Sequence, residues 1–250
     1  MELGNRVAVV TGAAAGTGRV IAQRLSAEGA VVVVADVDKE AGHATARDIE
    51  GASFVAADMT SEEDVRRLIA FAHDELGGLR VLVNNAGGGG HIPPHFPEAA
   101  PRQWRATLEL NLLGPMLATQ LALEPMHRAG GGAVVNVAST AGIDFGPYVS
   151  PEYGAAKAGL IRFTASVAEL RERMNVRVNC VVPDWIATER ALHELEQMTP
   201  AERAAAPTPR PPEEIADAVV EFVRNDDHAG RVLVMWPDEA PRLLDPEIRL

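Results

Sequence analysis

The chain has 250 residues, and its 23 basic and 35 acidic residues give a formal net charge of −12. With 47% apolar residues it can bury one large core, so we expect a single domain over residues 1–250. The acidic balance argues against nucleic acid or an anionic membrane as the partner, because both require a basic surface.

The longest apolar stretches, such as residues 30–35, fall far short of the roughly 18 residues that a membrane-spanning helix needs. The polar start, residues 1–5, differs from a secretory signal peptide, so we expect a cytoplasmic protein. The one cysteine, Cys180, lies in the apolar run 176–182. We expect a buried core thiol there rather than a nucleophile, and a single cysteine allows no disulfide framework.

The N-terminal region has the pattern of a strand, a glycine turn and a helix. Residues 6–10 form a strand-like run, Gly12, Gly16 and Gly18 follow closely, and an amphipathic helix pattern begins near residue 20. Glycines let the backbone approach a pyrophosphate, and the N–H groups of a helix N-terminus can hold it. The pattern therefore predicts a dinucleotide site, and the alternative is a tight turn without a ligand.

Strand-like runs alternate with helical ones along the rest of the chain. The further runs are residues 31–35, 53–57, 79–84, 133–138, 176–182 and 232–236. This alternation predicts an α/β fold, a doubly wound sheet of parallel strands joined by helices. Ligands in such sheets bind beyond the carboxyl ends of the strands. The residues that follow the runs are therefore expected at one edge: Thr11, Asp36, Asp58, Asn84, Ser139 and Pro183.

Tyr153 and Lys157 stand four residues apart, which places them side by side if they lie on a helix. A free tyrosine has a pKa of about 10 and is roughly one-thousandth ionised at neutral pH. A cation about 4 Å away contributes on the order of 4 kcal/mol at an effective dielectric of 20. Lys157 is thus predicted to lower the pKa of Tyr153, and the alternative is a packed aromatic ring beside a solvated charge.

Further motifs stand between these features: Asp58 in an Ala-Asp-Met-Thr sequence, Asn-Asn-Ala-Gly at 84–87, and Asn111, which precedes Ser139 by 28 residues. Taken in order from Arg6 to about Thr188, the motifs resemble the short-chain dehydrogenase/reductase family. The resemblance implies a Rossmann-like sheet of about seven strands in the order 3-2-1-4-5-6-7, and subunits that form a homodimer or homotetramer.

The resemblance also implies the roles of four catalytic residues. Ser139 would hold the substrate oxygen, Tyr153 would exchange its proton, and Asn111 would anchor a proton-relay water. Lys157 would lower the pKa of Tyr153 and hold the nicotinamide ribose.

The implied cofactor is NAD. The implied cofactor-binding residues are Gly12, Gly16, Thr17, Gly18, Asp36, Asp58, Met59, Asn85, Ala86, Gly87, Tyr153, Lys157, Pro183, Ile186 and Thr188. Asp36 decides against NADP, because a carboxylate at the end of the second strand accepts bonds from ribose hydroxyls and repels a 2′-phosphate. No Arg or Lys lies between Thr11 and Gly18. The alternative for Asp36 is a cap for a helix that starts near Asp38.

His91 and His95 have a spacing that resembles a metal site. Pro93 and Pro94 between them prevent the helix that would align the two imidazoles, and no third ligand is evident. We therefore expect no metal.

Two positions depart from the family pattern. Asp184 replaces a glycine after Pro183, and the C-terminal tail, 237–250, lacks the usual Asp-Gly-Gly. Asp184 is predicted either to place a charge near the nicotinamide ring or only to hold the turn.

The sequence as a whole predicts an NAD-dependent oxidoreductase that interconverts a secondary alcohol and a ketone. The alternative is a noncatalytic NAD-binding or scaffold protein on the same fold. The substrate is expected to contact the segments 88–97 and 140–149 and a lid at about 184–211. A largely apolar substrate is favoured, because these segments contribute Ile92, Phe96, Ile143, Phe145, Tyr148, Trp185 and Leu192.

Overall fold

A computed structural model of the chain describes residues 1–244, and its centre is one eight-stranded sheet in the order β3-β2-β1-β4-β5-β6-β7-β8. The strands are β1 Val7–Thr11, β2 Val31–Asp36, β3 Ser53–Ala56, β4 Leu79–Asn84, β5 Gly132–Val137, β6 Val176–Pro183, β7 Val232–Met235 and β8 Arg242–Leu243. The first seven are parallel to one another. The predicted doubly wound sheet and the order of its first seven strands are confirmed.

Helices cover both faces of the sheet. They are α1 Gly16–Ala27, α2 Lys39–Asp48, α3 Glu62–Ala70, α4 Pro101–Leu108, α5 Gly114–Arg128, α6 Pro151–Ser166, α7 Leu170–Met174, α8 Glu189–Gln197, α9 Pro200–Ala205 and α10 Pro212–Arg224. Alternate residues of one strand enter different cores: Ala8 and Val10 pack with α1 and α10, whereas Val7 and Val9 pack with α3 and α5. Burial of both faces explains why the strands read as continuous apolar runs.

The structure adds one strand, β8 in the tail, to the seven that were predicted. Arg242 and Leu243 pair antiparallel with Val234 and Leu233 of β7. The chain reverses through a turn in which Asp238 has a φ of 55°, a conformation that Asp adopts more readily than most residues. A strand of two residues has too little alternation to be recognised in a sequence. The rest of the tail, residues 245–250, lies outside the described residues.

A buried polar network fixes the carboxyl ends of the central strands to α6. Asn84 donates to Asn136 over 2.8 Å and to Thr119 over 3.2 Å, and Asn136 donates to Thr164 of α6 over 2.9 Å. All four side chains are buried. Since buried polar groups are costly without partners, this network favours one relative placement of β4, β5, α5 and α6.

Within residues 1–244, no helix combines the length and the apolar composition that crossing a membrane requires.

Candidate active site

The glycine turn after β1 is fastened to the segment after β4. Gly12 and Gly16 have φ values of +64° and +53°, in the left-handed region that favours glycine. The Thr11 hydroxyl accepts the N–H groups of Asn85 over 3.1 Å and Ala86 over 3.0 Å. In return, the Asn85 amide donates to the carbonyls of Thr11 and Gly12. The turn and the Asn-Asn-Ala-Gly element therefore form one rigid unit.

The start of α1 has the properties that a pyrophosphate site needs. A Cβ at Gly18 would lie 2.1 Å from the Gly12 carbonyl oxygen, so only glycine allows the helix to pack this closely on the turn. Ala15, the N-cap residue, provides no side-chain cap, and the first turn contains no acidic residue. A Cβ at Gly16 would lie 3.5 Å from the Thr188 methyl group, which places Thr188 across the turn. These residues fit a dinucleotide phosphate.

Asp36, the last residue of β2, is held by two backbone donors. Its Oδ2 accepts the N–H of Ala14 over 2.9 Å and its Oδ1 accepts the N–H of Asp38 over 3.0 Å. The cap of α2 is Asp38, whose carboxylate accepts the N–H of Ala41 over 3.0 Å. The helix-capping alternative for Asp36 is thus wrong. A carboxylate has about four acceptor sites, so Asp36 keeps capacity for further donors.

Lys157 and Tyr153 lie on α6, as the four-residue spacing predicts. The Lys157 side chain is 3% exposed, and its Nζ donates to the Val137 carbonyl over 2.9 Å. The same Nζ lies 5.6 Å from the centroid of the Tyr153 ring. Burial lowers the pKa of Lys157 to about 8, and the nearby Cys180 thiol opposes this shift. At neutral pH roughly nine-tenths of the amine is therefore still protonated.

The pKa of Tyr153 is shifted in the opposite direction to the one that the sequence predicted. Burial raises it to about 12, and Tyr148 adds to the rise, whereas a hydrogen bond with Ser139 and the charge of Arg190 lower it. The prediction took desolvation of the ring as an effect that opposes the charge of Lys157 without exceeding it. Desolvation is the larger effect while the ammonium is bound to the Val137 carbonyl.

Ser139 stands two residues after the end of β5, and its side chain lies near Tyr153. Its Oγ accepts the N–H of Ala141 over 3.2 Å and begins a short 3₁₀ turn at Thr140–Gly142. The hydrogen bond with Tyr153 lowers the pKa of the phenol. Ser139 and Tyr153 line the same cavity.

Asn111 lies in a π-helical turn, Glu109–Leu113, between α4 and α5. It is fully buried, accepts the N–H of Gly88 over 2.9 Å and donates to the carbonyls of Gly88 and Thr107, both over 2.9 Å. A Cβ at Gly87 would come within 2.7 Å of Asn111 Oδ1 and 3.1 Å of Lys157 Nζ. Asn111 and Lys157 therefore approach the same point of the backbone.

A cavity of about 740 Å³ at the carboxyl edge of the sheet brings most of the predicted site together. The predicted residues that line it are Gly12, Thr17, Gly18, Asn85, Gly87, Ser139, Tyr153, Lys157, Pro183, Ile186 and Thr188. Gly16, Asp36, Ala86 and Asn111 lie behind its wall and contact the lining residues or their neighbours.

Two predicted residues lie outside the cavity wall. Asp58 is exposed and its carboxylate accepts the N–H and O–H of Thr60 over 2.9 and 2.8 Å. Met59 is buried, and its carbonyl faces α5, where a Cβ at Gly114 would come within 2.5 Å of it. Their roles in binding a cofactor stay predictions.

Comparison with known proteins identifies the family. The family model described as short chain dehydrogenase matches residues 6–199. The chain is 33% identical to an uncharacterized oxidoreductase of Thermotoga maritima, over 91% of each chain. It is 38% identical to a cis-4-hydroxycyclohexanecarboxylate dehydrogenase of Sinomonas cyclohexanicum, over 88% of this chain and 90% of that one. It belongs to the short-chain dehydrogenase/reductase family.

A solved structure supports the same family assignment. A 7α-hydroxysteroid dehydrogenase, complexed with NADH and 7-oxo glycochenodeoxycholic acid, is 28% identical and superposes with a TM-score of 0.83 over 94% of each chain. The predicted family resemblance is thus confirmed, and the protein is related to oxidoreductases that use a nicotinamide cofactor.

In this short-chain dehydrogenase, Asp184 is bound to neighbouring groups. One carboxylate oxygen accepts the Thr140 hydroxyl and the other accepts the N–H of Trp185 over 2.8 Å. Burial raises the pKa of Tyr148, and the charge of Asp184 adds to the rise. Asp184 therefore holds the turn after β6, as one alternative predicted, and also influences a residue of the cavity wall.

The cavity wall of this family member differs in composition from the one that the sequence predicted. Of the apolar residues expected there, Tyr148 and Trp185 line the cavity, Ile143 packs in a hydrophobic core, and Leu192 of α8 faces a second, smaller cavity. Ile92, Phe96 and Phe145 are exposed. Charged and polar residues of the segments expected to contact the substrate also line the cavity: His91, Asp144, Arg190 and Glu194. They belong to the segments of the chain that carry no recognisable motif.

Proposed function

We propose that the protein is an NAD-dependent oxidoreductase that interconverts a secondary alcohol and a ketone. The observation that carries this proposal is the convergence of Ser139, Tyr153 and Lys157 with the glycine turn on one cavity. A bound nicotinamide would supply hydride chemistry, and the residues of this chain would bind both partners and move the proton.

Tyr153 is the proposed acid and base. Its hydroxyl gives the proton to a ketone oxygen or takes it from an alcohol, while the Ser139 hydroxyl orients that oxygen. The pKa of Tyr153, about 12, must fall for it to act as a base. A cation about 4 Å from the phenolate offers at most roughly three pKa units, which is enough to offset the effect of burial. We assign this lowering of the Tyr153 pKa to the protonated Lys157. We assign the anchoring of the proton-relay water to Asn111.

The cofactor choice is proposed from Asp36 at the end of β2. Its carboxylate has acceptor sites left for ribose hydroxyls, and Val37 beside it is exposed and offers no positive charge. Arg19, the first basic residue of α1, is paired with Glu189. A 2′-phosphate would therefore meet a negative charge without an evident partner, so NAD is preferred over NADP.

The proposal extends to a cytoplasmic homodimer or homotetramer that needs no metal. Leu113 and Met116, at the start of α5, are 51% and 37% exposed. Large apolar side chains exposed near each other are typical of an interface between subunits. Light scattering after size-exclusion chromatography measures the subunit number.

A panel of secondary alcohols with NAD, followed by the absorbance of NADH, tests the proposed function. The panel includes hydroxycyclohexanecarboxylates, L-fucose and 7α-hydroxysteroids, which the names of related dehydrogenases and of the steroid enzyme suggest. Turnover of any member supports the proposal. Saturable NAD binding without turnover of any alcohol, or of the matching ketones with NADH, would favour the scaffold alternative.

A further inference from the structure

The loop between β4 and α4 crosses the face of the catalytic tyrosine. Its first end is fixed at Gly88, which exchanges two hydrogen bonds with Asn111. Beyond that point, a Cβ at Gly90 would lie 2.9 Å from Cγ of Tyr153, so the loop backbone packs directly on the ring. His91 then lines the cavity. This loop thus forms both the cover of Tyr153 and one wall of the substrate cavity.

The far end of the loop is fixed by a buried acid. His95 Nδ1 lies 2.9 Å from Oε1 of Glu152, and the N–H of Phe96 donates to Oε2 over 3.4 Å. The side chains of His95 and Glu152 are 14% and 7% exposed. Both oxygens of one carboxylate therefore hold two consecutive residues of the loop.

Glu152 stands in the first turn of α6, immediately before Tyr153. Burial raises the pKa of Glu152, but hydrogen bonds from its own N–H and from His95 outweigh this effect and hold the pKa below its usual range. A carboxylate in a first helical turn is also stabilised by the helix dipole. The same residue thus connects the loop to the turn that carries the catalytic hydroxyl.

The loop needs such a fixed point because its first part has little intrinsic rigidity. Gly88 and Gly89 have φ values of +130° and +91°, and no side chain of theirs can pack. Another His and Glu pair, His193 and Glu196 on α8, has a separation of 3.8 Å and side chains that are 71% and 74% exposed. Such an exposed pair contributes little to structure.

We propose that His95 and Glu152 are positioning residues that clamp the far end of the loop onto α6. The clamp thereby fixes the position of Tyr153 relative to the part of the loop that lines the substrate cavity. The clamp rests on the proposed function, because it acts through Tyr153. It is expected to affect the substrate step more than cofactor binding, since the glycine turn contacts neither residue. A misplacement of about 1 Å can reduce a rate by about 100-fold.

The test compares three variants of the full chain. His95→Leu removes the donor, His95→Asn retains a donor near the position of Nδ1, and His193→Leu removes the exposed imidazole as a control. We expect His95→Leu to lower kcat by about tenfold or more with the Kd for NAD unchanged within about twofold. His95→Asn should recover most of the loss, and His193→Leu should match the unmodified protein. An unchanged kcat in His95→Leu would overturn the proposal.

Hydrogen exchange of the loop amides gives a second readout that does not depend on turnover. Exchange at Gly88 and Phe96 should be faster in His95→Leu and close to normal in His95→Asn. If the unmodified protein oxidises no alcohol, the proposed function fails, but the exchange data still test the clamp. An unchanged exchange rate of the loop amides in His95→Leu would refute the clamp. Should His95→Leu not fold, Glu152→Gln is used in both assays, and normal exchange and kcat in that variant refute the clamp.

Discussion

At the scale of single residues, the proposed preference for NAD depends on one carboxylate. Asp36 is fixed by the N–H groups of Ala14 and Asp38, so its position does not depend on a ligand. A group that is already positioned can discriminate strongly against a 2′-phosphate, because the phosphate cannot push it aside without breaking two hydrogen bonds.

The exchange of Asp36 and Val37 for Ser and Arg tests this discrimination. Asp36→Ser with Val37→Arg removes a repulsive charge and adds a phosphate partner, so the preference for NAD should narrow or invert. The measurement is the Kd for each cofactor, by titration, in the double variant and in Lys39→Gln as a nearby charge control. Equal affinity of the unmodified protein for NAD and NADP would refute the role of Asp36.

The burial of Lys157 predicts how the stability of the protein depends on pH. Its pKa falls from 10.5 in the unfolded chain to about 8 in the folded one, so between these values the unfolded state binds more protons. Stability therefore rises with pH through this window as far as this group is concerned. At pH 7 the buried charge costs on the order of 3 kcal/mol relative to a neutral group.

Lys157→Met removes this buried charge. The variant should be more stable than the unmodified protein at pH 7, and the difference should shrink as the pH rises from about 8 to 10. The two proteins are compared at each pH, because both contain Tyr153 and Cys180, whose raised pKa values act in the opposite direction. Urea denaturation measures the difference, and one that stays constant with pH would contradict the account.

At the scale of elements, a buried arginine joins β6 to α10. Arg177 of β6 is 5% exposed, and its guanidinium donates to the carbonyls of Phe222, Val223 and Asn225 over 2.7 to 2.9 Å. Phe222 and Val223 belong to the last turn of α10 and Asn225 is its C-cap, so their carbonyls lack partners within the helix. It also pairs with Asp226 at 2.9 Å.

Arg177→Leu should lower the free energy of unfolding by on the order of 3 kcal/mol, because several carbonyls lose their donor at once. Arg177→Lys should recover only part of this, since one ammonium cannot reach all three positions. Arg171→Leu serves as the control: its side chain is 43% exposed and lies 3.9 Å from Asp227, so its loss should cost less than about 1 kcal/mol. Similar losses in Arg177→Leu and Arg171→Leu would contradict the capping role.

The elements were predictable where one local pattern sufficed. The apolar runs defined seven strands, and the spacing of Tyr153 and Lys157 defined their shared face on α6, because both signals depend only on neighbouring residues. The strand β8 was missed since two residues carry no period. The contact of His95 with Glu152 spans 57 positions of the chain, and the pKa of Tyr153 depends on burial by several elements. Neither could be derived without the packing.

At the scale of the whole molecule, the site exists because several strands end at one edge. Thr11 ends β1 and Pro183 ends β6, whereas Asn85 directly follows β4 and Ser139 stands two residues after β5. One cavity touches the ends of these four strands or the segments that continue from them. The buried Asn84 network holds two of these ends against α6. The segment 184–211, proposed as a lid, is joined to the end of β7 by Arg210, which donates to the Trp236 carbonyl over 2.8 Å.

We propose that Tyr153 moves the proton of a secondary alcohol in this cavity. The most direct measurement compares NADH formation by the unmodified protein, Tyr153→Phe and Tyr148→Phe, with the same alcohol and with NAD affinity measured separately. The two tyrosines line the same cavity and lie 6.2 Å apart between ring centroids, so Tyr148→Phe controls for the loss of a hydroxyl there. We predict that Tyr153→Phe loses about 10² to 10⁴-fold in rate and binds NAD nearly normally, whereas Tyr148→Phe keeps most of its activity. More than a few per cent of activity in Tyr153→Phe would contradict the account.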